Sequence, residues 1–203
     1  MEAQKDNRTE LLRQIKDEVV DFKESPLYGE RVANKVHPVI GEGNHYAEIM
    51  FVGEAPGKTE AETGRPFAGQ AGKVLDELLA SIGIPRKDVY ITNVVKDRPP
   101  MNRDPLPQEI ALYAGFLDRQ IEIIQPKVIV LLGRHSMKYI MEKFGLEAQL
   151  TSISRMHGQI FLANASYGEI KIVPMFHPAA ALYNPDLKAE MQKDFKILRE
   201  MEK

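Results

Sequence analysis

Apolar residues recur along this chain in two rhythms. Ile49, Met50, Phe51 and Val52 run without a polar break into Gly53, and Val128 to Leu132 runs in the same way into Gly133. Unbroken apolar runs of this kind that stop at a glycine predict strands buried on both faces, the pattern of a parallel sheet centre. Val89 to Thr92 and Ile170 to Val173 predict two more strands, and Gln159 to Leu162 an added strand on a hairpin. Between these runs the spacing widens to the period of one helix face. Leu11, Leu12, Ile15, Val19 and Phe22 mark a helix over Glu10 to Phe22, capped at Thr9. Val74, Leu75, Leu78, Leu79 and Ile82 mark a second, which Gly83 and Pro85 close. Ile110, Tyr113, Leu117, Ile121 and Ile124 mark a third, which Pro107 opens. Ser136 to Phe144 is another, and Asp186 to Glu202 a terminal one with Leu187, Met191, Phe195 and Leu198 on one face. Phe22 to Asn44 has little periodicity and reads as irregular. Strands alternating with helices predict an α/β fold, a three-layer α/β/α sandwich with a central, mainly parallel four-stranded sheet. Residues 1–203 read as one domain.

The loops after the strands hold the distinctive residues. In a parallel sheet the carboxyl ends of the strands share one edge, so residues far apart in sequence can line one pocket there. The first central strand delivers Gly53-Glu54-Ala55-Pro56-Gly57, the second Asn93, and the last His177. Small residues in the first loop let backbone N–H groups approach a ligand, and Glu54 and Glu60 lie in the same turn. Gly57-Lys58-Thr59 resembles the end of a phosphate-binding loop, but the first glycine of that pattern belongs at position 52, which is Val52. The strand that should carry a magnesium-binding acid ends in Gly133 instead. A nucleotide-binding protein is therefore the remote alternative.

Composition narrows the chemistry. A formal charge of −2 gives no global basic signal, so contact with nucleic acid must come from a local patch. The sequence contains no cysteine, which excludes disulfides, thiolate zinc sites and cysteine-held iron–sulfur clusters. No metal site and no cofactor is expected. No apolar run is long enough to span a membrane, and the charged start lacks a signal-peptide core, so a cytoplasmic monomer is expected, without membrane or nucleotide-cofactor partners. Two Asn-X-Ser/Thr patterns, at Asn7 and Asn164, are read as chance.

Four ordered motifs resemble those of the family-four uracil-DNA glycosylases: GEAPG from Gly53, GRPFAG from Gly64, NVVKDRPPMNRDP from Asn93, and HPAAALYNP from His177. The resemblance covers nearly the whole chain. It implies a DNA repair hydrolase acting on uracil-containing DNA, which cleaves the N-glycosidic bond and leaves an abasic site. Such an enzyme must flip the base out of the duplex into a pocket that reads its edge. The resemblance implies Phe67 as a stacking face, Asn93 as the reader of the uracil edge, and His177 as the donor that stabilises the departing uracil anion. Ala55 and Gly57 would line the pocket. Glu54 and Glu60 are the candidate carboxylates, Glu60 for the pocket and its specificity. Lys58, Arg65, Lys96, Arg98, Arg103, Arg134 and Arg155 are candidates for phosphate contacts. Ala179 to Asn184, including Ala180, could enter the minor groove with Leu182 as an apolar wedge.

One departure stands out. The family holds a four-iron, four-sulfur cluster with four cysteines, and the resemblance places these at Phe22, Ser25, Asp97 and Tyr113. None offers a thiolate. Phe22 and Tyr113 are expected to fill part of the vacated volume, with Ser25 and Asp97 hydrogen-bonded nearby. The loss keeps a second class of function in view, an inactive DNA-binding relic of the same fold. Retention of Asn93 and His177 counts against it.

Overall fold

The computed structural model describes residues 6–201, and the expected helix end at Glu202 lies outside them. The elements are α1 (Arg8–Val20), α2 (Tyr28–Ala33), β1 (Glu42–Gly43), β2 (Ile49–Gly53), α3 (Lys58–Thr63), α4 (Gln70–Ser81), β3 (Tyr90–Asn93), α5 (Pro107–Ile124), β4 (Val128–Leu132), α6 (Arg134–Lys143), α7 (Ile153–Met156), β5 (Phe161–Ala165), β6 (Gly168–Met175), α8 (Ala180–Tyr183) and α9 (Pro185–Met201).

The sheet runs β1-β3-β2-β4-β6-β5. Its four central strands are parallel, as expected, while β1 and β5 add antiparallel edges. The sheet therefore has six strands rather than four. The segment read as irregular contains α2 and β1; both are too short to leave a period in the sequence.

Alternation along the strands builds two cores. Met50, Val52, Ile129, Leu131 and Ile172 face α1, α5 and α6, whereas Phe51, Val128, Val130, Leu132, Val173 and Met175 face α4 and α9. Both faces of β2 and β4 are apolar, which is why their sequence shows no polar break. The strand order also reverses at β2: the chain steps from β2 to β3 on one side, then crosses to β4 on the other. A crevice opens at the carboxyl ends where such a reversal occurs.

The four positions that the resemblance assigns to cluster ligands lie together. Tyr113 packs edge-on against Phe22 with ring centroids 5.4 Å apart. Its hydroxyl lies 2.8 Å from Ser25 Oγ and 2.6 Å from Asp97 Oδ2. Asp97 also accepts from Arg31 Nη1 at 3.2 Å, and the side chains of this pair are only 6% and 1% exposed. Arg31 also donates to the Val19 and Val20 carbonyls at the end of α1. Desolvation pushes the Asp97 carboxyl above its ordinary range despite the guanidinium beside it. A carboxylate, a phenol, a hydroxyl and a guanidinium that satisfy one another leave no soft donor set for an iron–sulfur cluster, so the site does not fit that group.

This network clamps the α1–α2 turn to the segment leaving β3. Asp97→Ala would leave Arg31 buried with carbonyl partners only, and should cost about 3 kcal/mol of unfolding free energy, measured as a lower denaturation midpoint in urea at unchanged slope.

Candidate active site

The pocket lies at the carboxyl edge of the sheet, with a cavity volume of about 490 Å³. Its wall is built by the loops after β2, β3 and β6. In the β2–β3 register Gly53 sits opposite Asn93, so the first loop and the asparagine leave the sheet side by side. Gly133 N–H donates to the Met175 carbonyl at 2.9 Å, which fixes where the chain departs from β6 toward His177.

Gly53 makes the close approach possible. A Cβ built there would lie 2.3 Å from Asn93 Oδ1 and 2.9 Å from Phe67 Cε2. Phe67 itself is held in the left-handed region at φ +48, an uncommon conformation for a bulky side chain. Gly72 in α4 approaches so closely that a Cβ there would meet the Phe67 carbonyl oxygen at 1.7 Å. The Phe67 ring, buried, stacks near His177 with centroids 5.5 Å apart and planes at 29°. The side-chain amide of Asn93 lines the pocket and makes no hydrogen bond to another described residue.

His177 has a defined proton. The Ala179 N–H donates to Nδ1 at 3.2 Å, so Nδ1 is an acceptor and the proton of the neutral ring sits on Nε2. Part of the ring opens to the pocket, but protein encloses the rest. That desolvation pushes the imidazole down to about 4, against the attraction of the Glu60 carboxylate. At neutral pH the ring is uncharged and offers one N–H.

The two carboxylates occupy different settings. Glu60 accepts from the Gly69 N–H at 2.7 Å, and its other oxygen stands 2.7 Å from where a Gly57 Cβ would be. It braces the loop after β2 against the start of α4. Glu54 carries no such bond. Burial pushes it above the usual carboxylate range, offset by His135, whose Nε2 is 3.7 Å away. Glu54, Asp104 and His135 bring ligand atoms within 4.8 Å of one another. Arg134, however, pairs with Asp104 and lies 3.1 Å from His135 Nε2, so a cation placed there would stand against a guanidinium.

The structure brings together Glu54, Ala55, Gly57, Lys58, Glu60, Phe67, Asn93, Arg103 and His177 around one cavity. It does not place Lys96 on the surface. Its side chain is fully buried behind the pocket wall, beyond reach of a phosphate, contrary to the surface role expected from the sequence. Other basic candidates are exposed but engaged: Arg65 with Glu42 at 2.7 Å, Arg98 with Asn102 Oδ1 at 2.6 Å, and Lys58 with Glu62 at 3.8 Å. Arg103 forms a two-pronged pair with buried Glu109, which also accepts from Leu106 N–H and so starts α5. In α8, Leu182 is 46% exposed and its neighbour Tyr183 89%. Tyr183 and Asn102 line the pocket although the sequence singled out neither; an aromatic after an apolar stretch reads as core, and only the short turn of α8 turns it outward.

A family model for the uracil DNA glycosylase superfamily matches residues 40–199, which takes in every loop of the pocket. The chain belongs to that superfamily. Among curated relatives, a type-4 uracil-DNA glycosylase of Sulfurisphaera tokodaii is 49% identical over 191 residues, covering 94% of this chain and 84% of the relative. One from Archaeoglobus fulgidus is 46% identical over 192 residues, covering 95% and 94%. One from Thermotoga maritima is 43% identical over 177 residues, covering 87% and 86%. The superfamily is the one whose motifs the loops after the strands resemble. Among the described residues, no helix is long and apolar enough to cross a membrane.

The depressed His177 value makes a signed prediction. The unfolded chain takes up this proton near 6.5 and the folded one only near 4, so folding stability is full above 6.5 and declines as pH falls. Between those limits the wild type should lose up to about 3 kcal/mol that a His177→Gln variant keeps, read from urea titrations at stepped pH.

Proposed function

We propose that this protein is a cluster-free type-4 uracil-DNA glycosylase that excises uracil from DNA in base excision repair. The observation that carries the reading is the convergence of Asn93, Phe67 and neutral His177 on one cavity at the strand ends. The flipped uracil stacks on Phe67. The Asn93 amide donates to O4 and accepts from N3–H; cytosine presents the opposite polarity there, and mismatched buried groups reject it.

The C1′–N1 bond breaks with its electron pair leaving on uracil, and the sugar becomes cationic. His177 Nε2–H donates to O2, a bond that strengthens as the anion forms and so lowers the barrier. The oxygen of a water then bonds to C1′ while Glu54 takes its proton. Support for Glu54 over Glu60 lies in their settings: Glu60 is committed to Gly69 N–H, whereas the Glu54 carboxylate makes no hydrogen bond to another described residue and is raised above its ordinary range by burial. Glu60 keeps the pocket's shape. Lys58 and Arg98 contact phosphates, and Leu182 with Tyr183 fills the gap left by the base.

The test is excision from a labelled oligonucleotide carrying one uracil, followed by alkaline cleavage, with thymine and cytosine controls. Wild type should cut only the uracil strand. His177→Ala should lose about 10²–10³-fold in single-turnover rate, and Glu54→Gln about 10²-fold, both with folded protein. A wild type that leaves the uracil strand intact would sink the proposal.

A further inference from the structure

Directly behind Asn93 lies a group for which the mechanism so far has no use. Lys96 is fully buried, and its Nζ donates to Thr92 Oγ1 at 2.8 Å, to the Asn93 carbonyl at 2.7 Å and to Gln120 Oε1 at 2.6 Å. The hydrogens of these partners are already committed elsewhere. The Thr92 hydroxyl donates to the Ile40 carbonyl at 2.6 Å, and the Gln120 amide donates to that same carbonyl at 2.9 Å and to Tyr90 Oη at 3.1 Å. Each of the three oxygens therefore turns a lone pair toward Nζ. Three acceptors and no donor match an ammonium, with its three hydrogens; a neutral amine would face one oxygen lone pair with its own.

Among the described residues, this ammonium has no carboxylate partner. Asp97, the next residue, points the other way, to Arg31 and Tyr113. Burial accordingly lowers the lysine, to about 7. A fold needing only filler at this position would more cheaply use an apolar side chain, since an unpaired buried charge is costly. The turn it supports is also tied to the catalytic loop, for Val94 N–H donates to the Gly53 carbonyl and Val95 N–H to the Glu54 carbonyl, both at 3.0 Å.

Resting on the glycosylase reading, we propose that Lys96 is a positioning residue for uracil excision: its ammonium locks the Asn93 peptide against Thr92 and Gln120, and sets a buried positive charge behind the wall that faces the leaving uracil anion. The charge acts in a water-poor setting, where it favours the anion over the neutral base. The locked peptide restricts how the Asn93 amide can adjust to cytosine.

The chain has no cysteine, which provides a clean test. Lys96→Met removes the ammonium; Lys96→Cys, alkylated with 2-bromoethylamine in denaturant and refolded, rebuilds one at nearly the same reach. Single-turnover excision at saturating protein, and the Kd for an uncleavable uracil-analogue duplex, are measured for each. Lys96→Met should lower the rate about tenfold or more with Kd unchanged and with a narrower preference for uracil over cytosine. Unalkylated Lys96→Cys should match it, and alkylation should restore most of the rate. A structural role alone would leave the rate per folded molecule untouched, and that result, or a rate that alkylation fails to raise, overturns the proposal. If Lys96→Met does not fold, Gln120→Glu carries the test by setting a carboxylate against the ammonium; an unchanged rate there overturns it too. Wild-type protein inactive on uracil would defeat the glycosylase reading and this role with it, whereas full activity in Lys96→Met defeats this role alone.

Discussion

The active site depends on a side chain that is missing. At Gly53 the backbone of a fully buried strand meets Asn93 Oδ1 on one side and the Phe67 ring on the other, at distances that admit no Cβ. The parallel register sets Gly53 opposite Asn93, and the close packing of Gly72 holds Phe67 in its left-handed conformation. Two glycines on different elements therefore define a slot lined by the Asn93 amide and the Phe67 ring. His177 joins it because Gly133, also at positive φ, lets the end of β4 pass close to the histidine Cβ. What looks in sequence like loose, glycine-rich loops is a set of close backbone approaches, and the shape of the pocket is fixed by them.

Behind that slot the molecule is held by polar groups rather than by oil. Lys96 with Thr92, Gln120 and Tyr90 supports β3 from the α5 side, and Asp97 with Arg31, Tyr113 and Ser25 supports the next residue from the amino-terminal turn. Adjacent residues are thus anchored into separate buried networks. Such networks specify a single arrangement more strictly than apolar packing does, because each donor has few acceptable partners. The proposed discrimination of bases by hydrogen-bond polarity would gain from that strictness.

Much of this was legible in the sequence, for reasons specific to each element. β2 and β4 announced themselves because both of their faces are buried, and α4, α5 and α9 because one face is. Asn93 and His177 could be placed because topology alone brings parallel strand ends to one edge. The β1 pairing and α2 could not, since two residues and six residues respectively carry no readable period. Lys96 was misread for a deeper reason. A lysine in a proline-rich loop reads as surface, and its burial is decided by oxygens on Thr92 and Gln120 that no local pattern links to it. Arg103 likewise reads as a free cation, and only the fold reveals its bond to Glu109. The proton on His177 Nε2 also waits on a tertiary fact, the N–H that Ala179 turns toward Nδ1.

The Ser25–Tyr113–Asp97–Arg31 network has a consequence for how this protein comes into being. A domain pinned by an iron–sulfur cluster is complete only once iron and sulfide have been delivered, and it stays complete only while oxidants and chelators spare the metal. Here the corresponding clamp is made of oxygen and nitrogen atoms that the ribosome supplies with the chain. Maturation needs no assembly factor at this point, and peroxide finds no thiolate to oxidise. An oxidant or chelator that strips such a cluster finds no metal to remove from this clamp.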